Sequence, residues 1–266
     1  MVKRAVFKWE RGRMNVYLTG IFWVVGAAVV AAVIGYLVRR FGWDEGRRDN
    51  NDAAGQVFTI VGGLHAVLVA FVLISLFDTV GTARDGSYTE ADSLVAMTWA
   101  AEALPGDTGP RVQQLAQAYA NTVQHQEWPR LADDGEVPQT GWTQLDQLRK
   151  TIAAAPAGND WQNDRKTEAA NDLWQVYQAR QARLTAAATS GVGSVVWFAL
   201  ILGSVICVLL PNLFGGTRMA AHLVIVSTLA GTIALLVYAI YQLQNSFAGG
   251  ASIQPDAFTS ALSRLA

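Results

Sequence analysis

The stretch GGLHAVLVAFVLISLF, residues 62–77, decides how the rest of the chain is read. With the preceding VFTIV it makes 21 residues in which His65 is the only ionisable side chain. A helix of that length, rising about 1.5 Å per residue, crosses roughly 30 Å of hydrocarbon. Residues 17–38, 192–214 and 219–243 likewise contain no Asp, Glu, Lys or Arg. Core helices of soluble proteins usually keep a charged face, so four such runs in 266 residues point to a polytopic membrane protein.

The first run is too long for the apolar segment of a signal peptide. It ends in Arg39-Arg40 with no small-residue cleavage site, so it is expected to stay as a span. Four crossings place the N-terminus, residues 78–190 and the C-terminus on one side. That side carries Lys3, Arg4, Lys8, Arg11, Arg13, Arg84, Arg180, Arg183 and Arg264; Arg39, Arg40, Arg47, Arg48 and Arg218 lie opposite. Nine against five predicts that both termini are cytoplasmic. Sixteen arginines against four lysines, with abundant alanine, point to a GC-rich bacterial genome and so to the inner membrane.

The organisation follows. Residues 1–16 form a basic cytosolic arm, 17–77 the first two transmembrane helices, 78–190 a cytosolic helical domain, 191–243 the last two transmembrane helices and 244–266 a cytosolic tail. The arm suits an anionic leaflet. Residues 81–190 hold fourteen acidic against nine basic groups, which argues against nucleic acid as a partner. The single cysteine, Cys207, lies in the third run, so neither an internal disulfide nor a cysteine metal site is expected. No cofactor is expected either.

The polar segment reads as helices with no alternating strand pattern. Residues 84–104 space Leu94, Met97, Ala101 and Leu104 helically and stop at Pro105-Gly106, and this helix is expected to continue the second span. Residues 109–131 place Val112, Leu115, Tyr119, Val123 and Trp128 along one side, with Pro129 disfavouring continuation. Asp133-Asp134-Gly135 reads as a turn, 143–155 as a third helix, and Asp160 as the cap of a fourth. That fourth helix brings Arg180 to the same side as Leu173, Val176, Tyr177 and Leu184.

Close approach of spans depends on small residues. Gly62, Ala66 and Ala70 form one seam, Ala27, Ala31 and Gly35 another, Ser227 and Gly231 a third. His65 flanks the first seam. Three readings stand beside each other: a hydrogen bond to another helix, a pore-facing or proton-handling role suited to its near-neutral titration, or lipid exposure. Asp78 lies about 20 Å further along the helix on another face, so the two are not a local pair.

Enzyme signatures are absent: no P-loop, GxSxG, HExxH or Cys–His cluster occurs. His125 and Glu127 sit two apart, on different helix faces, and read as structural rather than as a metal or general-base pair.

YANTVQHQEWPRL, following HAVLVAFVLISLFDTV and EADSLVAM, resembles the bacterial bestrophin-like domain family, DUF4239. The matching residues are Glu90, Ala91, Tyr119, Ala120, Val123, Glu127, Trp128 and Pro129. The tail QLQNSFAGGASIQPDAFTSAL is also similar, through Phe247, Gly249, Ile253, Pro255 and Phe258. Two positions depart from it: the family more often has tyrosine at 65 and Asp-x-Pro at 244–246.

The resemblance implies an all-α, bestrophin-like polytopic membrane protein, with four transmembrane helices and a helical cytosolic domain inserted between spans 2 and 3. It also implies a channel-like homo-oligomer, with the lipid bilayer, other copies of itself and inorganic ions as partners. On that reading the second span lines the pore through His65, Leu68, Val72, Leu76 and Asp78. Glu90 and Asp92 then form a cytosolic acidic ring that favours cations. A non-conducting scaffold or sensor that binds a partner through the cytosolic helices is the alternative, and a membrane enzyme stands behind both.

Overall fold

A computed structural model describes residues 2–41, 51–133, 135–188, 191–213 and 218–266, with side chains for all of these except 2–14, 53 and 54. The basic-arm side chains, the first loop at 42–50, Asp134 of the expected turn, the 189–190 junction and Phe214 therefore lie outside the described residues.

The fold is all-α, and no strand occurs among the described residues. In order, the helices are α1 (Val2–Phe41), α2 (Asn51–Glu102), α3 (Thr108–Thr122), α4 (Trp128–Ala132), α5 (Thr140–Ala154), α6 (Asp160–Ala188), α7 (Ser194–Leu209), α8 (Met219–Leu243) and α9 (Asp256–Arg264). Four segments are long and apolar enough to cross a bilayer: Asn15–Phe41, Gly55–Glu102, Ser194–Leu213 and Met219–Leu243. The chain is an integral membrane protein.

It divides into two compact units. Met1–Phe77 and Gly191–Gln244 make the first; Asp78–Ser190 and Asn245–Ala266 make the second. Helix α2 is continuous across the division, as expected of a span leading straight into a polar helix.

In the first unit α1 packs along α8 through small residues. A methyl group on Gly20 would sit 2.7 Å from the Tyr238 ring, whose hydroxyl donates to the Val16 carbonyl at 2.5 Å. Gly231 faces Val24 and Ala28, Ala31 is buried with Val226 and Ala230, and Gly35 approaches Asn212 and His222. Two of the three expected seams are thus contacts within one chain.

The seam of Gly62, Ala66 and Ala70 is different. Ala66 and Ala70 are exposed, and nothing lies within 4 Å of a methyl placed on Gly62. Helix α7 ends early, in a tighter 3₁₀ turn over Leu210–Leu213, because Pro211 supplies no amide hydrogen to continue an α-helix.

The second unit surrounds one apolar core. Leu94 and Met97 of α2, Val112 and Leu115 of α3, Leu145 and Ile152 of α5, Leu173 and Val176 of α6, and Phe258 of α9 are all buried in it. Each such side chain contributes roughly 1.5–3 kcal/mol by leaving water.

The helix expected over 109–131 is interrupted. Residues Val123–Glu127 form a wider π-turn, in which the Trp128 amide donates to the Val123 carbonyl five residues back. Pro129, which has no amide hydrogen, sits at the start of α4. The turn absorbs the proline rather than ending the helix there. At the start of α6 the capping side chain is Asn159, which accepts from the Gln162 amide at 2.8 Å, and not Asp160.

Candidate functional site

Two places were marked by the sequence, one in each unit. In the span portion of α2, His65 is 8% exposed and its Nε2 lies 3.2 Å from Ser204 Oγ on α7. The approach is close because α7 presents Gly203: a methyl there would lie 2.5 Å from His65 Nδ1. Val69, Val72 and Leu76 are buried with His65, and Leu68 is half-buried.

This turns the expected pore stripe inward. His65, Val72 and Leu76 are buried within the chain, so they do not form its open face. That face carries Leu64, Val67, Phe71 and Ile74, between 52% and 68% exposed. Asp78, the first charged residue after the span, is exposed as well. The spacing of Gly203 and Ser204 on α7 was the available signal, because the small residue that admits His65 belongs to the opposite helix.

In the second unit the family residues converge on two buried arginines. Glu90 and Arg183 form a fork, with Arg183 Nε donating to Glu90 Oε2 at 2.8 Å and Nη2 to Oε1 at 3.0 Å. Arg183 Nη2 also donates to Glu127 Oε2 at 3.0 Å. Arg180 Nη1 donates to the same oxygen at 2.7 Å. The Tyr119 hydroxyl donates to Glu90 Oε1 and lies 3.4 Å from Arg180 Nη1. The side chains of both glutamates and both arginines are completely buried, so two negative and two positive charges balance without solvent.

The surroundings are aromatic. The Arg180 guanidinium lies 4.6 Å from the Trp142 ring centroid, and that of Arg183 lies between Trp128 and Phe258 at 5.9 and 5.8 Å. Gly141 brings α5 against the cluster. A methyl there would lie 2.6 Å from Arg180 Nη2 and closer still to Glu127 Oε1. The π-turn is what lets Val123, Glu127 and Trp128 all face inward.

Electrostatics follow from burial. Burial pushes the Tyr119 phenol well above its ordinary range, and the neighbouring Glu90 carboxylate adds to this. Burial disfavours the charged form of Arg183, but Glu90, with Tyr119 and Glu127 adding to it, more than offsets this, so the guanidinium is held charged more firmly than usual. Arg180 is raised in the same way, burial being outweighed by Glu127 and Tyr119 together.

The expected acidic ring is therefore revised. Glu90 offers no free carboxylate, because both oxygens are engaged inside the protomer. Asp92 remains exposed and pairs with Arg264 of α9. Glu127 is committed to the two arginines while His125 beside it is exposed, so they point apart. No group of side chains able to hold a metal ion occurs among the described residues.

The tail closes over Trp128. Its Nε1 donates to the Ile253 carbonyl at 3.1 Å, and Phe247 meets its ring edge-on at 5.2 Å. Gly249 adopts φ +81°, a left-handed conformation that favours glycine. Pro255 then leads into α9.

With this geometry in view, comparison with known proteins is direct. A family model described as the bestrophin-like domain matches residues 25–258. The chain belongs to the bestrophin-like family. No curated protein matches the sequence. Among solved structures, a single-residue variant of a bacterial bestrophin homologue from Klebsiella pneumoniae superposes with a TM-score of 0.72 at 14% identity, over 92% of this chain and 98% of that one. A second variant of that homologue gives 0.66 at 13% identity, over 94% and 97%. A structure described only as a membrane protein gives 0.65 at 13%, over the same shares. At such identity the likeness establishes the fold.

Within this bestrophin-like chain, Tyr119, Glu127, Trp128 and Glu90 are one buried assembly. Its missing half, Arg180 and Arg183, was legible only as an arginine on the apolar side of a helix.

Proposed function

We propose that the chain is one subunit of a homo-oligomeric ion channel in the bacterial inner membrane, with α2 nearest the axis and both termini in the cytoplasm. The observation that carries this is the open face of α2. Leu64, Val67, Phe71 and Ile74 are large, apolar and unburied in the protomer, while the other face of the same helix is packed. Family membership supplies the prior, and a ring of such side chains around an axis forms a constriction able to gate by dewetting.

The cation-leaning reading now rests on Asp78, since Glu90 is neutralised and Asp92 is paired. Orientation rests on the basic arm, because Arg180 and Arg183 are paired within the second unit and do not act as free charges near the membrane. The same pairing supports a non-enzymatic role, as it leaves Glu127 no part as a base.

The test is reconstitution of the purified protein in planar bilayers under asymmetric KCl. Phe71→Ala removes bulk from the open face and is expected to raise single-channel conductance, whereas Val72→Ala on the packed face leaves it nearly unchanged. Silence from a folded oligomer would favour a scaffold. That second reading draws on the exposed Trp174 beside Trp142 and Tyr177 on the second unit, an aromatic surface of the kind that anchors partners.

A further inference from the structure

In the first unit α1, α7 and α8 line a cleft of about 810 Å³, half open to the surface, that none of their side chains fills. The cause is local: Ala27, Ala31, Ser204, Ala230 and Ala234 present short side chains to it from all three helices. An apolar cavity of roughly 150 Å³ already takes up benzene, and this one is over five times larger.

Its polarity is graded. Thr19, Trp197, Tyr241 and Gln242 lie at one end, near the chain's entry to the spans; Ile34, Val208 and Leu209 lie at the other. Trp197 Nε1 is held by Gln244 Oε1 at 3.0 Å, and the Tyr238 hydroxyl by the Val16 carbonyl. Tryptophan and tyrosine in this position mark headgroup level. From Ala230 to Gln242 the cavity follows α8 for about 18 Å. At its mouth Trp23, Val30, Val205 and Leu209 are exposed, which makes it continuous with the open apolar surface of the spans.

We propose that this cavity is a binding site for one acyl chain of a phospholipid, whose headgroup rests at the Thr19 and Gln242 end. A span from a second copy, about 10 Å across and about 1,400 Å³ over the same 18 Å, would seat only one of its faces here and leave the depth of the cleft unfilled. The chain, by contrast, meets an apolar wall along its length and polar side chains where its ester groups emerge.

The test uses the full-length protein purified in mild detergent, supplied with phosphatidylcholine and weighed by native mass spectrometry. Ala27→Phe on α1 and Ala234→Phe on α8 fill the cavity from two sides, and Leu236→Phe, outside it, is the control. Each filling variant is expected to retain at least threefold less lipid per subunit than the wild type, at the same subunit number and unfolding temperature, with the control unchanged. The two substitutions sit on different helices, so misfolding of one leaves the other to decide.

On the unaltered protein, retention is expected to rise severalfold from dioctanoyl to dioleoyl phosphatidylcholine. Equal retention of the two lipids overturns the proposal by assigning binding to the headgroup. Equal retention in the wild type and both filled variants overturns it too. So does loss of subunits from the filled variants with lipid retained, because a neighbouring copy would then be the occupant. None of these readings depends on conduction.

Discussion

Glu90 and Arg183 illustrate how a buried charge is tolerated and what its loss costs. Removing one member of a fully desolvated pair strands the other, at about 3–5 kcal/mol. Glu90→Gln keeps the shape but not the charge, and is expected to lower stability by that order in a denaturant melt monitored by helical signal. Glu90→Met combined with Arg183→Met leaves the Glu127–Arg180 pair neutral, so the double variant should cost well under the sum of the single changes.

Tyr119 makes a pH prediction. Its phenol is raised by burial and by Glu90, so the folded state resists ionisation that the unfolded chain allows. Stability is therefore complete below the unfolded tyrosine value of about 10 and falls as pH rises beyond it. An alkaline melt should show that loss, and Tyr119→Phe should flatten it. The tyrosine and both glutamates stood in a recognisable pattern, but the arginines did not. Arg180 lies 53 residues after Glu127 and Arg183 lies 93 after Glu90, and helical spacing gives no information on which distant carboxylate a long side chain will reach.

At the level of elements, the four spans were legible because length and the absence of charge are properties of a single segment. The faces were not. Gly62, Ala66 and Ala70 have the spacing of a packing seam yet lie open, whereas His65, one position from Ala66, is admitted by Gly203 on another helix. A seam needs a partner with matching relief, and the partner is not in the segment. Gly203→Ala is accordingly expected to cost about 1–3 kcal/mol by overpacking, measured as a lowered unfolding temperature in detergent. The π-turn was hidden for a related reason: it is one residue wider than an α-turn, and Pro129 alone reads as a stop.

For the whole molecule, the symmetry axis is what one chain shows least directly, because every copy in a homo-oligomer presents the same surface and nothing in the sequence labels which part meets the axis. The open stripe of α2 narrows the choice, and Asp78 gives it a sign. If copies bring Asp78 into one ring at the cytoplasmic mouth, its charge raises the local cation concentration by focusing the field. Asp78→Lys inverts that charge while leaving the buried Glu90–Arg183 fork in place, so folding should be unaffected. Under asymmetric KCl at low ionic strength, the reversal potential of the wild type should lie toward the potassium equilibrium value and that of Asp78→Lys should move toward chloride. Near 1 M salt, where screening acts within about 3 Å, the two should converge. A reversal potential that ignores the substitution at low salt would place Asp78 away from the conduction path and remove the basis for a cation-leaning pore.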